Sequence, residues 1–178
     1  IGHELIEQCL REGIQVYGVD LLRTPSQDYV YEKVDIRKEG VAECIPEGAD
    51  ALIHLAALSS DQMCKGKSYE CFDVNVMGTL NLMRAATARN TKQFIFASSE
   101  WVYEKFVGNE EKDENAVIDI SGHKSEYALS KLVSEANLRI QHENGFCNTT
   151  ILRFGIIYGP RKTNWSAVES IMSQAKNQ

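Results

Sequence analysis

The sequence predicts an α/β protein built on a doubly wound parallel sheet. Short apolar segments typical of strands alternate along the 178 residues with longer segments whose apolar positions recur at helical spacing. Residues 51–57 are apolar almost throughout, as expected for a strand with helices on both faces of the sheet. Strand and helix units that repeat in this way imply right-handed crossovers and one buried parallel sheet.

The elements follow one another without an internal repeat or a low-complexity tract. Leu5, Ile6, Cys9 and Leu10 predict an opening helix that ends at Gly13. The elements predicted after it are, in chain order, a strand at 14–19, a strand at 29–34, a short helix at 41–45, a strand at 51–57, a helix at 69–89, a strand at 94–97 that runs to Ser98-Ser99, an irregular loop at 108–124, a helix at 126–143 and a strand at 149–154. The length predicts one domain, residues 1–178.

Composition and charge exclude several classes of protein. The chain carries 19 basic and 25 acidic residues, and no basic run is longer than Arg161-Lys162, so we expect no nucleic-acid partner. No apolar stretch approaches the roughly 20 residues that span a bilayer, so we expect no membrane partner. The four histidines lack metal-ligand spacing, and we expect no metal site. Five cysteines without a Cys-x-x-Cys motif, three or more of them in apolar surroundings, favour buried thiols in a reducing compartment and a cytoplasmic protein.

Tyr127 and Lys131 are four residues apart and therefore lie on one face of the predicted helix. The Lys131 ammonium can lower the pKa of the Tyr127 phenol towards working pH, which suits Tyr127 to be the general base when an alcohol is oxidised and the general acid in reverse. Ser98 and Ser99 close a strand, and a serine hydroxyl can orient the same oxygen. An isolated tyrosine and lysine at this spacing mostly belong to a solvated helix face, so the position of the pair in the fold determines which interpretation applies.

The carboxyl ends of the predicted strands bring further positions to one edge of the sheet. Those positions are Asp20, Asp35, Ala56-Ala57, Ser99 and Phe154-Gly155. In a doubly wound sheet the ligand lies in the crevice outside these ends. The helix that carries Tyr127 begins at the same edge, which favours a catalytic role for Tyr127 and Lys131 over a solvated face.

Segments spread over nearly the whole chain resemble a known family. They are Ile1-Gly2 at the start of a helix, 19–21, 34–37, 53–57, 75–82, 96–99 with Val102-Tyr103, 127–131, and 152–154 with 158–161. Together they resemble the extended short-chain dehydrogenase/reductases, the NAD-dependent epimerase/dehydratase group that acts mostly on nucleotide-sugars. The resemblance implies a Rossmann-like fold, NAD as the cofactor and a nucleotide-sugar as the substrate.

Three residues resemble the catalytic positions of the family. Tyr127 resembles its acid/base, and Lys131 resembles the lysine that depresses the pKa of that tyrosine and binds the nicotinamide ribose. Ser99 resembles the hydroxyl that holds the reacting sugar oxygen. Ser99 is preferred to Ser98 because the serine or threonine of the family usually lies four residues before the tyrosine of a Val-Tyr pair, which here is Tyr103.

The resemblance also implies a cofactor site. Asp20 resembles the carboxylate that accepts both hydroxyls of the adenosine ribose and favours NAD, while Arg23 nearby could meet a 2′-phosphate and leaves NADP open. Asp35 and Ile36 resemble the pair at the edge of the adenine. The other positions implied are Gly2, Leu21, Leu55, Ala56, Ala57, Asn75 and Phe154, together with Tyr127 and Lys131. Core packing is an equal alternative for the apolar positions, and Asn75 can equally bridge strand backbones.

The resemblance implies NAD-dependent epimerisation or dehydration of a nucleotide-sugar through a transient keto-sugar. Glu100 stands where dehydratases of the family tend to carry an acid, with a solvated side chain as the alternative. Ile156 stands where hexose epimerases commonly have an asparagine that reaches the substrate diphosphate. Two other functions stay open: a nucleotide-binding sensor or scaffold without turnover, and a carbonyl or steroid-type reductase with a non-sugar substrate.

Family members open with a strand and a glycine-rich turn, of which only Ile1-Gly2 is matched here. We therefore expect the central strand of the sheet, between those at 14–19 and 51–57, and a C-terminal substrate-binding part to belong to a longer chain. Family members often pair through the helices at 75–89 and 124–143, which implies a homodimer with a four-helix interface.

Overall fold

The computed structural model describes residues 1–22, 27–103, 109–159 and 167–176. Its strands are β1 (Tyr17–Asp20), β2 (Val30–Lys33), β3 (Leu52–His54), β4 (Gln93–Ser99) and β5 (Asn148–Phe154). Its α-helices are α1 (Gly2–Arg11), α2 (Asp61–Cys64), α3 (Ser68–Phe72), α4 (Gly78–Ala88), α5 (Glu126–Glu143) and α6 (Ala167–Lys176). The other helical turns are 3₁₀ at Glu39–Cys44, Glu100–Tyr103 and Ile120–Gly122, and π at Asp73–Met77.

The strands are parallel but form two sheets rather than one. β1 pairs with β2, and β3, β4 and β5 pair in that order. Within the described residues no strand joins β1 to β3, so the division falls where the sequence analysis expects the central strand to be absent. The alternation of strands and helices and the parallel pairing confirm the predicted α/β class.

The main core lies on one face of the larger sheet. His54, Phe94 and Phe96 are buried there against α4 and α5, and Leu82 and Leu138 pack into the same region. The prediction that both faces are buried is wrong for the described chain: on the second face Ile53 is 40% and Leu152 is 39% exposed. α1 contributes no buried residue to the core.

The helix predicted at 69–89 is interrupted. It consists of α3, the π turn and α4, and the π turn carries Asn75 with its side chain buried. α4 begins at Gly78, where a Cβ atom would lie only 2.6 Å from Cδ1 of the buried Ile36. The close approach of the helix to the loop after β2 therefore depends on glycine.

Other predicted boundaries shift by a few residues. The opening helix is confirmed, whereas β1 and β3 are shorter than the strands predicted at 14–19 and 51–57. The short helix predicted at 41–45 is a 3₁₀ helix, and α2 and α6 have no counterpart among the predicted elements.

α5 begins where the sequence analysis places it. The Ser125 hydroxyl caps it by accepting a hydrogen bond from the Ala128 N–H at 3.1 Å. This cap fixes the first turn, which carries Tyr127, against the carboxyl edge of the sheet.

Candidate active site

The candidate site lies at the carboxyl ends of β4 and β5. Ser99 ends β4 and Phe154 ends β5, and the two residues are paired across the strands. Tyr127 is the second residue of α5, which packs against both strands. The structure therefore brings the predicted edge positions Ser99, Phe154 and Tyr127 together.

Ser99 lies close to Tyr127 at this edge of the sheet. Burial raises the pKa of the Tyr127 phenol, and the nearby Ser99 hydroxyl offsets part of that effect. The Trp101 backbone N–H donates to Ser99 Oγ at 3.3 Å, which helps to orient the hydroxyl. Far apart in sequence, the serine and the tyrosine thus form the predicted pair.

Lys131 does not act on Tyr127 as the sequence analysis expects. Its Nζ donates to the Ala97 carbonyl at 2.7 Å and lies 4.8 Å from the centre of the Phe96 ring, whereas the centre of the Tyr127 ring is 6.0 Å away. Burial lowers the pKa of Lys131 to about 8. The expected lowering of the Tyr127 pKa by Lys131 is therefore wrong for this structure, because the ammonium faces β4 and the phenol is desolvated.

Ser98 has a different partner from Ser99. Its hydroxyl donates to Oε1 of Glu135, which is fully buried in α5. Arg153 of β5 binds the same carboxylate, with Nη2 2.7 Å from Oε2, and its Nη1 donates to the Tyr103 hydroxyl at 2.8 Å. Glu135 and Tyr103 raise the pKa of the Arg153 guanidinium. Ser98 therefore belongs to a structural ion-pair cluster, which agrees with the choice of Ser99 from spacing.

Asn75 bridges backbone and side chains rather than facing an open site. Its Oδ1 accepts from the Leu58 N–H at 2.8 Å, and its Nδ2 donates to the Leu58 carbonyl at 3.1 Å and to Ser130 Oγ at 2.9 Å. Ser130 Oγ in turn donates to the Tyr127 carbonyl at 2.7 Å. The contacts agree with the alternative that Asn75 bridges backbone groups. They connect the loop after β3 to the first turn of α5.

The other residues predicted to bind the cofactor differ in how far they are exposed to solvent. A Cβ atom on Gly2 would lie 3.6 Å from Leu55 Cδ1, so the start of α1 adjoins the end of β3. Asp20, Leu21 and Ala56 are exposed, and the Leu22 N–H donates to Asp20 Oδ1 at 3.1 Å. Leu55, Ala57 and Phe154 are half-buried. Arg23, the residue that could meet the 2′-phosphate of NADP, lies outside the described residues.

Asp35 and Ile36 are more enclosed than the adenine-edge interpretation suggests. Arg37 binds Asp35 through Nη2 at 2.6 Å and Asp73 through Nη1 at 2.7 Å. The hydrogen bonds from Arg37 lower the pKa of Asp35, so this carboxylate stays charged and paired. The Ile36 side chain is buried in the core beside Gly78, which supports core packing for that side chain.

The described residues fit a dinucleotide. Asp20 offers an exposed carboxylate of the kind that binds ribose hydroxyls. The first turn of α1 has no side-chain cap, so its N–H groups are of the kind that bind phosphate. Lys131 supplies a cation behind Tyr127. Among the described residues no three His, Cys, Asp or Glu side chains form a group that could hold a metal, and no helix is long and apolar enough to cross a membrane.

The sequence also matches known proteins. The sequence profile of the NAD dependent epimerase/dehydratase family matches residues 1–178. The chain belongs to this family. This family member is 29% identical over 162 residues to 3beta-hydroxysteroid dehydrogenase/Delta(5)-Delta(4) isomerase 1 of Caenorhabditis elegans, a match that covers 87% of this chain and 34% of that protein. It is 33% identical over 117 residues to a UDP-glucose 4-epimerase of Klebsiella pneumoniae, covering 58% of this chain and 84% of that protein.

A solved structure confirms the Rossmann-like fold of this family member. The UDP-glucose 4-epimerase of Thermus thermophilus, solved in complex with NAD, superposes with a TM-score of 0.80 and 25% identity over 96% of this chain and 57% of that chain. The chain thus spans about a third of the length of the worm protein and little more than half of the Thermus protein. The family that the profile describes is NAD dependent, in agreement with the prediction of NAD as the cofactor, and the Thermus protein binds NAD in its solved structure.

Sequence reasoning missed two sets of contacts around the site. One is the cluster of Glu135, Arg153 and Ser98, for which the only signal is that Glu135 lies four residues after Lys131 on the same helix face. The other is the contact between Cys64 and Cys71, because α2 is not among the predicted helices. Cys64 and Cys71 are the fully buried cysteines of the five, and the half-buried Cys147 packs against the hydrophobic core, so three thiols lie in apolar surroundings as expected.

Proposed function

We propose that the protein that carries this chain is an NAD-dependent enzyme that epimerises or dehydrates a nucleotide-sugar through a transient keto-sugar. The observation that carries the proposal is that Ser99 and Tyr127 lie close together at the carboxyl edge of the sheet, with Lys131 one helical turn further on. Membership of the family and the likeness to a UDP-glucose 4-epimerase support the nucleotide-sugar class.

Each of the three residues has a distinct task in this proposal. Tyr127 takes the proton from the sugar hydroxyl and later returns it to the keto oxygen, while the Ser99 hydroxyl holds that oxygen. Bound NAD would supply the hydride acceptor and donor for the sugar carbon. Lys131, whose Nζ binds the Ala97 carbonyl in this structure, would bind the nicotinamide ribose. Burial raises the pKa of the Tyr127 phenol, so Tyr127 is here in the form that donates a proton, and it must lose that proton before it can act as the base.

The cofactor would be held by residues from several elements. Asp20 would bind the adenosine ribose, and Asp35 and Ile36 would border the adenine. Leu55, Ala56 and Ala57 would form the backbone floor beneath the pyrophosphate and ribose. The other positions near the cofactor would be Gly2, Leu21, Asn75 and Phe154. The exposure of Asp20, Leu21 and Ala56 supports their assignment, while the buried Asn75 side chain would act by holding the loop after β3.

Replacing Tyr127 by Phe tests the proposal. We expect turnover of a nucleotide-sugar to fall by about 10²–10⁴-fold, because the variant lacks the group that transfers the proton. Binding of NAD, measured by calorimetry, should persist. Tyr69→Phe is the matched control, because Tyr69 is 87% exposed and remote from Ser99 in sequence and element. Near-normal turnover in the Tyr127→Phe variant would refute the assignment.

A second candidate function is supported by one relative. The Caenorhabditis elegans protein named as a 3beta-hydroxysteroid dehydrogenase/isomerase matches 87% of this chain, and Ile156 gives the rim of the site an exposed apolar residue. A reductase or dehydrogenase of non-sugar alcohols would use the same three residues. Absorbance of the reduced cofactor, followed with a panel of nucleotide-sugars and hydroxysteroids, separates the two candidates, and binding without turnover of either class would favour a sensor.

We also propose that the protein forms a homodimer. Leu129, Val133, Ala136 and Ile140 make a partly exposed apolar stripe along α5, and Met77 is exposed beside α4. A second copy of the same two helices would cover such a surface. Light scattering should give a dimer for the native protein and a monomer for Val133→Asp, and a native monomer would contradict the proposal.

A cytoplasmic location is proposed on the basis of the cysteines. All five are free, including the adjoining pair Cys64 and Cys71. Free thiols persist in a reducing compartment. Fractionation of cells with an antibody to the protein would test the location, and recovery outside the cytosol would contradict it.

A further inference from the structure

Two buried thiols meet directly behind the candidate site. Cys64 ends α2 and Cys71 lies in α3, and the loop between them turns at Gly66, whose φ is 71°. Both residues are completely buried, and the two thiols are close enough for Cys71 to affect the pKa of Cys64. A disulfide can join them when α2 and α3 shift so that the sulfur atoms come within bonding distance.

The thiols also touch the backbone that holds the site. Cys64 Sγ lies 3.7 Å from the Leu58 carbonyl, and Cys71 Sγ lies 3.6 Å from the carbonyl of Glu126, the residue before Tyr127. Asn75 Nδ2, which holds the Leu58 backbone, lies 3.6 Å from Cys71 Sγ. A change at the two sulfur atoms therefore reaches both the loop after β3 and the first turn of α5.

We propose that Cys64 and Cys71 form an oxidisable dithiol site that a hydroperoxide converts to a disulfide, and that the disulfide lowers turnover at Tyr127. One thiolate attacks the O–O bond of hydrogen peroxide and becomes a sulfenic acid, with hydroxide leaving as water. The second thiol then attacks that sulfur, so that the S–S bond forms and a second water leaves. Two thiols and one peroxide give one disulfide and two waters.

The fold controls when this reaction takes place. Burial and the nearby Cys71 raise the pKa of Cys64 to about 12, so the Cys64 thiol is protonated and unreactive at neutral pH. α2 has four residues and α3 has five, too few for either to be stable without its packing. Oxidation thus requires these two helices to open locally, and its rate should rise with pH.

The effect on activity follows from the lost contacts. A disulfide has no S–H group, so the Leu58 and Glu126 carbonyls each lose a thiol neighbour that can donate. The part of the inference that concerns turnover rests on the proposed function, whereas the formation of the disulfide does not.

Tryptic mapping tests the site directly. Lys65 and Lys67 lie between the cysteines, so trypsin separates a peptide 39–65 that contains Cys64 from a peptide 68–84 that contains Cys71. Because Cys44 shares the first peptide, the protein tested is the Cys44→Ser variant, treated with hydrogen peroxide and then alkylated. We expect the two peptides to be recovered as one disulfide-linked species that a dithiol reductant separates.

Activity provides the second measurement. We expect peroxide to lower turnover by about tenfold or more, because a displacement of about 1 Å at a catalytic group can cost as much as about hundredfold, and the reductant should restore it. Cys71→Ser should remove both the link and the sensitivity to peroxide. If that variant does not fold, the peptide mapping of the Cys44→Ser protein still shows whether peroxide links Cys64 to Cys71.

Two results would overturn the inference. One is oxidation of Cys9 or Cys147 without a link between 39–65 and 68–84, and the other is a complete link with unchanged turnover. A reduced protein that shows no turnover at all counts against the proposed function alone, and recovery of the linked peptides would still support the dithiol site.

Discussion

The adjacent serines that end β4 illustrate what single residues contribute to the site. Spacing from Tyr103 selects Ser99 from sequence, and its contact with Tyr127 agrees with that choice. The partner of Ser98 could not be predicted, because Glu135 is far along the chain and reaches the strand only after α5 has packed on the sheet. The direction of the Lys131 side chain was missed for a similar reason: helical spacing fixes its face but not its acceptor on β4.

Alanine substitutions at the two serines should have opposite consequences. Ser99→Ala should lower kcat by about 10²-fold, because the oxygen that reacts loses a positioned donor. Ser98→Ala should lower the free energy of unfolding by about 1–3 kcal/mol and leave kcat nearly unchanged, because a buried charged group loses one hydrogen bond. Steady-state kinetics and urea unfolding of both variants measure the two effects. A large loss of kcat in Ser98→Ala with little change in Ser99→Ala would reverse the assignment.

At the scale of elements, α5 is held to β5 by a buried ion pair. Glu135 is fully buried and Arg153 is 7% exposed at its side chain, and Nη2 lies 2.7 Å from Oε2. Both elements could be predicted from their apolar periodicity, whereas the pair between them could not, since periodicity carries no information on partners across elements. The interruption of the helix at 69–89 could likewise not be predicted from sequence, because the apolar positions of α3, the π turn and α4 follow one continuous helical stripe.

Removal of one partner of this pair should destabilise the protein strongly. Glu135→Ala and Arg153→Ala should each lower the free energy of unfolding by about 3–5 kcal/mol, because each leaves an uncompensated buried charge. The double variant should cost less than the sum of the two. Arg139→Ala is the matched control: Arg139 binds the same carboxylate at 3.1 Å from a half-exposed position, so its loss should cost less than about 1 kcal/mol. Urea unfolding measures all four, and equal costs for Arg139 and Arg153 would contradict the account.

At the scale of the molecule, the order of the strands along the chain accounts for the two separate sheets and for the position of the buried core in the described residues. The α/β class, the edge that carries the site and the division between β1 and β3 could be predicted, because each depends on the order of local patterns. The uneven burial of the two faces could not be predicted, because the apolar periodicity of a strand does not show which helices cover each of its faces. The stability of the described core rests on the face that contains His54.

His54 should make that stability depend on pH. Its Nε2 lies 2.9 Å from Thr79 Oγ1, whose own hydroxyl donates to the Asn75 carbonyl at 2.6 Å, so Nε2 is the donor and the buried ring is neutral. Burial, with a smaller effect of the Lys131 charge, lowers the pKa of His54 from 6.5 to about 3. Between these two pH values His54 is protonated in the unfolded chain but neutral in the folded chain. The resulting stability is fully present above pH 6.5 and is lost as the pH falls towards the folded value.

The slope of stability against pH is the quantity to measure. In urea unfolding between about pH 6.5 and pH 4.5, His54 should contribute a loss of about 1.4 kcal/mol per pH unit. Asp35, whose lowered pKa also stabilises the fold, contributes to acid lability only below its ordinary value of 3.8, outside this window. His54→Gln should flatten the slope, while His3→Gln, on the exposed face of α1, should leave it unchanged. Equal slopes in the wild-type protein and His54→Gln would show that this ring does not govern acid stability.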